Sequence, residues 1–232
     1  MEKKMKKKFS CELSYLLGIL TIAAGCALMG KADFGFSMVV APAYILSRVL
    51  SGVSDFFTFG TTEYIFQAFL LVLMVIAIRR VRISYLFSFV TAVIYGYTLD
   101  GLNLLVDFAV PEATMAVRIV FYVFGMVLCS VGVACMIHTY IPAEVYELIV
   151  KEVPEKYGWS LTKFKTAYDM VSCVVSIAMS FAFFGMWHFE GVKWGTFICA
   201  LVNGFLIGRI SKWMQEHLEM TDTLPLRRIF TK

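Results

Sequence analysis

The polar residues that could do chemistry in this chain are few, and they stand inside long apolar stretches. In KTAYDMVSCVVS, Lys165 and Asp169 are four residues apart, which places them on one face of a helix. In FGTTEYIFQAFLL, Glu63 and Gln67 have the same spacing. A charged side chain at the centre of a membrane helix costs about 2.5–3.5 kcal/mol on insertion scales, so it is rarely accidental. Asp169 is therefore predicted to bind a cation, a proton or a substrate amine.

A second interpretation of Lys165 and Asp169 stays open, because a local ion pair near the cytoplasmic interface would let the lysine reach water. Asp100, in YGYTLDGLN, is a further binding candidate, and it could equally cap or anchor its helix. Pro42 and Pro142 each lack an N–H and restrict the residue before them. Broken helices at such places can expose their ends to a central site. Each proline could instead simply start or kink a short interfacial helix.

The sequence carries none of the familiar enzyme motifs. It has no Gly-Lys-Ser/Thr phosphate loop, no His-Glu-x-x-His and no Gly-x-Ser-x-Gly. Its six cysteines include no Cys-x-x-Cys pair, and most of them stand in apolar runs as small hydrophobic residues do. We therefore expect no enzymatic activity, no catalytic residue, no metal site and no cofactor.

The composition places these polar residues in a membrane. The chain is 59% hydrophobic and 16% aromatic, with a mean hydropathy of +0.76, whereas a soluble domain is about half apolar. Several runs exceed about 18 residues, the length needed to cross a bilayer. Backbone groups in lipid must be hydrogen-bonded within the segment, so the runs are predicted to be helices. We predict spans at 11–30, 61–79, 83–105, 114–138, 166–187 and 191–211.

Two further segments, 34–50 and 141–153, are too short or too polar to be predicted as spans. Each is expected to form a re-entrant or interfacial helix. If segment 34–50 crossed the membrane fully, the basic residues that follow it would change sides, which argues against a crossing.

Basic residues indicate the orientation, since cytoplasmic loops are enriched in lysine and arginine. Clusters stand at 3–8, 79–82, 151–165 and 209–228. With six spans, all four clusters fall on one side, so both termini are predicted to be cytoplasmic. The net charge of +4 is explained by this pattern and by anionic lipid headgroups. It therefore does not indicate a nucleic-acid partner.

The segment GILTIAAGCALM at 18–29 raises a question of processing, because it follows a lysine-rich N-terminus and loosely resembles a lipoprotein cleavage site at Cys26. A similar segment, GMVLCSVGVACM, occurs at 125–136, where no signal peptidase site can be. The first segment is therefore predicted to be a retained helix.

These two segments belong to a longer internal repeat. Gly18 corresponds to Gly125, and Gly25 corresponds to Gly132. Further along, VAPAYIL resembles YIPAEVY, and VTAVIYGYTLDGL resembles ICALVNGFLIGRI. Small residues spaced along one helix face let a neighbouring backbone approach closely. Close helix packing is accordingly the expected role of most of the glycines.

The correspondences predict a single membrane domain over 1–232, with a first repeat at 12–108, a second at 114–212 and a cytoplasmic tail at 213–232. Each repeat holds three spans and one short helix, and an odd number of spans makes the second copy enter from the opposite side. The fold class is thus predicted to be an all-α, six-span 3+3 inverted repeat, an arrangement shared by many secondary transporters. Four crossings per half would instead give a parallel repeat.

The first half of the chain carries GCALMGKADFGFSMVVAPAYILS, FGTTEYIFQAFLL and VIYGYTLDGL, and the second half carries IPAEVYELIV, FKTAYDM and VKWGTFICALVNGFLIGRI. With these segments the chain resembles the YczE/YyaS/YitT family of bacterial integral membrane proteins. The resemblance covers residues 12 to 212. The family usually has an arginine and a glutamate where this chain has Lys165 and Asp169, so a basic–acidic pair is kept. The resemblance implies a fold in the bacterial cytoplasmic membrane and no particular reaction.

The predicted function is a small secondary transporter or solute-binding permease of unknown substrate. Its site would lie between the halves, bordered by Asp169, Lys165, Gln67 and the short helices at Pro42 and Pro142, with Glu63 and Asp100 as further binding candidates. The alternative is a non-transporting membrane protein that regulates or scaffolds a partner. The expected partners are the lipid bilayer, a small solute or ion, and either a second copy of the chain or another membrane protein.

Overall fold

The structure is a computed structural model that describes residues 7–224. Residues 3–6 and 225–228, which contribute to two of the basic clusters, lie outside the described residues. Within the described range the chain forms eight helices and two short strands. The helices are α1 Cys11–Ala32, α2 Ala41–Leu50, α3 Phe59–Ile78, α4 Ile83–Ala109, α5 Met115–Ile137, α6 Val145–Tyr157, α7 Leu161–Phe184 and α8 Trp194–His217, and the strands are β1 Lys7–Ser10 and β2 Leu218–Thr221.

Every long helix is apolar enough to cross a membrane, which α2 and α6 are too short to do. The predicted number of spans is confirmed, and the protein is a multi-pass membrane protein. The largest boundary difference is at α8, which continues six residues beyond the predicted 211. The added residues, KWMQEH, are polar but compatible with a helix, so α8 extends past its apolar part.

The centre of the bundle is a crossing of α1 and α5 through four glycines. A Cβ added at Gly25 would lie 2.6 Å from the carbonyl oxygen of Gly125, and one added at Gly125 would lie 2.7 Å from that of Gly25. Gly18 and Gly132 face each other in the same reciprocal way. Because neither helix has side chains at these points, the two backbones are in direct contact.

The other helices are arranged around this crossing in matching pairs. α4 packs on α1, and α8 packs on α5. The short helix α2 packs on α7 and α3, while the short helix α6 packs on α3 and α7. Each short helix therefore lies between the second span of its own half and the second span of the other half.

Ion pairs and hydrogen bonds define the two ends of the bundle, which we name by Asp33 and by Tyr140. At the Asp33 end, Asp33 pairs with Arg118 at 3.1 Å and with Lys193 at 2.6 Å, so it links α1 to the starts of α5 and α8. At the Tyr140 end, the Tyr140 hydroxyl donates to the Glu12 carboxylate at 2.6 Å and so ties the loop after α5 to the start of α1.

A two-stranded parallel sheet, which the sequence did not predict, also lies at the Tyr140 end. Lys7–Ser10 pairs in register with Leu218–Thr221. Glu12 secures the residues that follow β2, since its carboxylate accepts hydrogen bonds from the backbone N–H groups of Thr223 and Leu224. The two strands are four residues long, too short to give a clear alternating pattern in the sequence.

The glycine crossing predicts a clear contrast between two Gly→Ala variants. We expect Gly25→Ala to destabilise the protein by about 1–3 kcal/mol, because the added methyl group meets the α5 backbone. Gly204→Ala on α8 is the matched control, since no described residue outside its own helix turn lies within 4 Å of an added Cβ. There the better helix propensity of alanine should leave stability unchanged or slightly raised. Thermal unfolding in detergent measures both, and equal midpoints would contradict the packing described.

Candidate functional site

The start of α3 is fixed by a polar cap that involves Asp100. The Thr58 hydroxyl accepts from the Thr61 N–H at 3.1 Å. The Asp100 carboxylate, from α4, accepts from the Gly60 N–H at 2.7 Å and from the Thr58 hydroxyl at 2.5 Å. An anionic acceptor at a helix N-terminus is favourable because the N–H groups there lack partners in the helix. Asp100 thus sets the position of α3 against α4.

From this cap, the buried face of α3 carries Phe59, Glu63 and Gln67 at four-residue intervals. That spacing aligns the three side chains on one side of the helix. Both polar members of the row have 0% of their surface exposed. A carboxyl and an amide are therefore held inside the protein on a helix whose remaining residues are mostly apolar.

The short helix α6 completes this polar site. Its first residue, Val145, donates its backbone N–H to the side-chain oxygen of Gln67 at 3.0 Å. Gln67 Nε2 in turn donates to Glu144 Oε2 at 2.9 Å and to Glu63 Oε1 at a longer 3.5 Å. Glu63, Gln67, Glu144 and Tyr146, which faces Glu63, are referred to below as the Glu63 cluster.

Within the described residues, several polar atoms of the Glu63 cluster lack a hydrogen-bond partner. They are Glu63 Oε2, Glu144 Oε1 and the Tyr146 hydroxyl, all shielded from solvent. The ion pairs formed by described residues include neither Glu63 nor Glu144. Burial, together with the nearby carboxylates of Glu147 and Glu63, raises the pKa of the Glu144 carboxyl well above its usual range.

A cleft of about 540 Å³ lies at the Asp33 end, and its lining includes Phe59 at the start of α3. Its charged lining residues are Lys31, Asp33, Arg48, Asp107 and Arg118.

Three aromatic rings, Phe36, Tyr44 and Phe59, also line the cleft. Their centroids lie 4.4 to 5.3 Å apart, so the rings pack on one another. Phe59 is one helical turn before Glu63 on the same face of α3. Through Phe59, these three rings, the aromatic trio, bring the lining of the cleft to within one helical turn of Glu63 along α3.

The structure distributes the predicted site residues over several places. Glu63 and Gln67 come together, whereas Asp100 caps α3. Lys165 and Asp169 form an ion pair of 3.4 Å along α7, with side chains 57% and 30% exposed, apart from the Glu63 cluster. The role of Asp169 in binding stays a prediction.

The two prolines stand near the starts of the short helices. Pro42 lies in the first turn of α2. Pro142 precedes α6, and its carbonyl oxygen accepts a hydrogen bond from the Thr91 hydroxyl at 3.0 Å. That bond holds the segment leading into α6 against α4.

Sequence reasoning missed Glu144 and Tyr146. The signal that could have found them is the stretch IPAEVYELIV, in which a glutamate directly follows Pro142-Ala143 at the start of a short helix. A carboxyl at that position is carried into the protein if the helix begins at membrane depth. The sequence alone did not reveal that depth.

Comparison with known families gives one match. The model of a family of unknown function, DUF6198, matches residues 9–212. The chain belongs to the DUF6198 family. No curated protein and no solved structure matches it. The family match covers all eight helices of the DUF6198 protein except the last turn of α8, and the Glu63 cluster lies within it. It names no activity, and the resemblance to the YczE/YyaS/YitT family stays a prediction.

The bonds of Gln67 predict a stability effect in the DUF6198 protein. We expect Gln67→Met to destabilise it by about 1–3 kcal/mol, because Glu144 and the Val145 N–H each lose a buried partner. Glu216→Gln is the control, since Glu216 forms an exposed pair with Lys212 and such pairs contribute little. Thermal unfolding in detergent compares the two, and a Gln67→Met protein as stable as the wild type would contradict the bridging role of Gln67.

Proposed function

We propose that this DUF6198 protein is a small secondary transporter or solute-binding permease, with the Glu63 cluster as its binding centre. The observation that supports it most directly is the pair of buried carboxyl groups, Glu63 on α3 and Glu144 at the start of the short helix α6, each with one oxygen that no described residue hydrogen-bonds. Leaving a buried carboxylate oxygen unpaired is costly, so these oxygens are suited to a ligand that arrives from outside the fold. Polar groups inside a membrane domain commonly mark substrate or ion paths.

The proposed architecture is an inverted repeat of three plus three spans, with α2 and α6 as re-entrant helices. In the repeat, Gly18 corresponds to Gly125 and Gly25 corresponds to Gly132. Exchanging the two halves therefore converts the Gly18–Gly132 contact into the Gly125–Gly25 contact. Likewise, the packing of α2 on α7 becomes that of α6 on α3. The observed pairings are those that such a repeat would generate.

The two halves also differ in a way that supports alternating access. In the first half, α3 and α4 touch through the backbones of Gly60 and Gly96. On α8, a Cβ added at Gly204, which corresponds to Gly96, would meet no described residue beyond its own turn. If the two halves rocked against each other, one half could take up the closely packed arrangement while the other took up the open one. Such an exchange would expose the site alternately to the two sides.

Lys165 and Asp169 are proposed as the approach to the site from the Tyr140 end. Tyr168, next to Asp169, lies within electrostatic range of Glu63 and Glu147. The positive charge of Lys165 interacts electrostatically with the Glu147 carboxyl. The cleft and its aromatic trio would form the approach from the Asp33 end. Pro42 and Pro142 would fix the starts of the two short helices on either side of the centre.

The proposal places the protein in a bacterial cytoplasmic membrane with the Tyr140 end in the cytoplasm, and it assigns the chain no enzymatic reaction. The basic residues of the α3–α4 turn, Arg79, Arg80 and Arg82, belong to that end, as do Lys151 and Lys156 of α6. Cytoplasmic loops carry this excess of basic residues.

Orientation is tested by labelling single engineered cysteines in intact cells with a membrane-impermeant thiol reagent. Asp55→Cys, at the Asp33 end, should react without permeabilisation, whereas Lys156→Cys should react only after it. The native cysteines are buried, so the wild type serves as the unlabelled control. The opposite pattern would reverse the proposed orientation.

A second candidate function, a regulator or scaffold for another membrane protein or a second copy of the chain, is favoured by α8. Its glycines Gly204 and Gly208 leave open space beside them, and its large apolar side chains Leu201 and Phe205 are exposed. A partner helix could approach such a surface closely. In that case the Glu63 cluster would be structural and would bind no solute.

A thermal-shift screen of metabolites and ions on the detergent-purified protein distinguishes the two functions. A ligand at about 100 times its dissociation constant should stabilise the wild type by about 2.7 kcal/mol. We expect Glu63→Gln and Glu144→Gln to lose that shift, and Glu216→Gln to keep it. Asp169→Asn should weaken uptake into proteoliposomes if Asp169 guides the approach. A ligand that stabilises wild type and both glutamine variants equally would move the site elsewhere.

A further inference from the structure

The Glu63 cluster has no positive charge to balance its two carboxyl groups. None of the ion pairs of the described residues reaches Glu63 or Glu144, and the only polar side chain that joins the two is the neutral amide of Gln67. Two ionised carboxylates buried together without a counter-charge would be strongly unfavourable. Some positive charge must therefore be held at this point of the fold.

The hydrogen bonds show where that charge can bind. An amide NH₂ has two hydrogens to donate, and Gln67 directs them to Glu144 Oε2 and Glu63 Oε1. This leaves Glu63 Oε2 and Glu144 Oε1 free. Tyr146 is 5% exposed as a residue, and its buried hydroxyl faces Glu63 without a hydrogen bond of ordinary geometry to any described residue.

We propose that the Glu63–Glu144 pair is a proton-binding site that holds one shared proton at neutral pH and releases it when the site opens to water. The hydronium ion of the surrounding water gives its proton to a free carboxylate oxygen and leaves as water, and release reverses this step. The inference that a proton is bound depends only on the burial and hydrogen bonds of Glu63 and Glu144. Its use as the coupling ion of transport rests on the proposed function.

A proton fits this site better than a metal ion does. In the part of the chain that the structure describes, no group of three or more His, Cys, Asp or Glu side chains could hold a metal. Divalent cations such as Ca²⁺ need about six to eight oxygen ligands. A proton needs only a single carboxylate oxygen, and Glu63 and Glu144 each have one that no described residue hydrogen-bonds.

The surroundings of the pair contain further titratable groups but no close base. On α6, the Glu147 carboxyl interacts electrostatically with Glu144, and Lys165 of α7 interacts electrostatically with Glu147. The remaining groups that face the pair are thiols and phenols, namely Tyr15 and Cys26 of α1, Tyr95 of α4, Cys129 of α5, Tyr146 of α6 and Tyr168 of α7. Thiols and phenols carry no positive charge in either protonation state, so none of them supplies a counter-charge to the pair.

The proton has a consequence for stability that can be measured. Because the pKa of Glu144 is raised in the fold, the folded protein binds more protons than the unfolded chain between the ordinary carboxyl pKa and the raised one. Stability is then full at low pH, falls as the pH rises through this window, and levels off above it. The midpoint of thermal unfolding in detergent should follow this course in the wild type. A flatter profile is expected in Glu63→Gln/Glu144→Gln.

The direct test is infrared spectroscopy of the full-length protein during a pH titration. We expect the C=O band of a protonated carboxyl group at neutral pH, and its loss as the pH is raised. The two groups share one proton and titrate as a unit, so each single variant, Glu63→Gln or Glu144→Gln, should shift the titration to lower pH. The double variant should lack the band, and Glu216→Gln should keep it unchanged.

Each outcome decides between the inferences. The proton site would be overturned if the wild type showed no protonated carboxyl band that disappears in the Glu63 and Glu144 variants. The pair would then be ionised beside a bound cation. If ligand stabilisation is nevertheless lost in Glu63→Gln, the binding function stands without the proton. If the band titrates as expected while uptake into proteoliposomes ignores an imposed pH gradient, the proton is bound but is not the coupling ion.

Discussion

The direct contact of the α1 and α5 backbones is the constraint on which the rest of the bundle depends. Four glycines bring the two helices together without intervening side chains, and each contact is reciprocated by its partner. α4 and α8 then lie against the outer sides of this pair. The short helices α2 and α6 each pack against both α3 and α7.

The Glu63 cluster follows from that arrangement. Since α6 is a short helix, its first residues stand beside the middle of α3, and this brings Glu144 to Gln67. A full-length α6 would begin at the membrane surface and would leave Glu144 in water. The ion pairs around Asp33 form at the end of the bundle, whereas the buried acidic pair is bridged only by the neutral amide of Gln67. The contrast between these two places is the main electrostatic feature of the fold.

Hydropathy and repeat correspondence predicted the number of spans, because length and apolar composition directly limit what can cross a bilayer. Glu63 and Gln67 were found since polar residues are conspicuous inside an apolar run. Glu144 was missed because its significance depends on the depth at which α6 begins, which tertiary packing decides. Asp169 was the favoured carboxyl in the sequence, yet its side chain is partly exposed beside Lys165. Which face of α7 turns towards the bundle is also set by packing and not by its own sequence.

The parallel pairing of β1 with β2 has a consequence for biogenesis. β1 leaves the ribosome before the six spans and β2 leaves it after them. The sheet, and the bonds from Glu12 to the residues after β2, can form only after α8 has been inserted with its end beside the start of α1. Formation of the β1–β2 sheet and of the Glu12 hydrogen bonds is therefore a late assembly step. It requires the correct membrane insertion of the six spans.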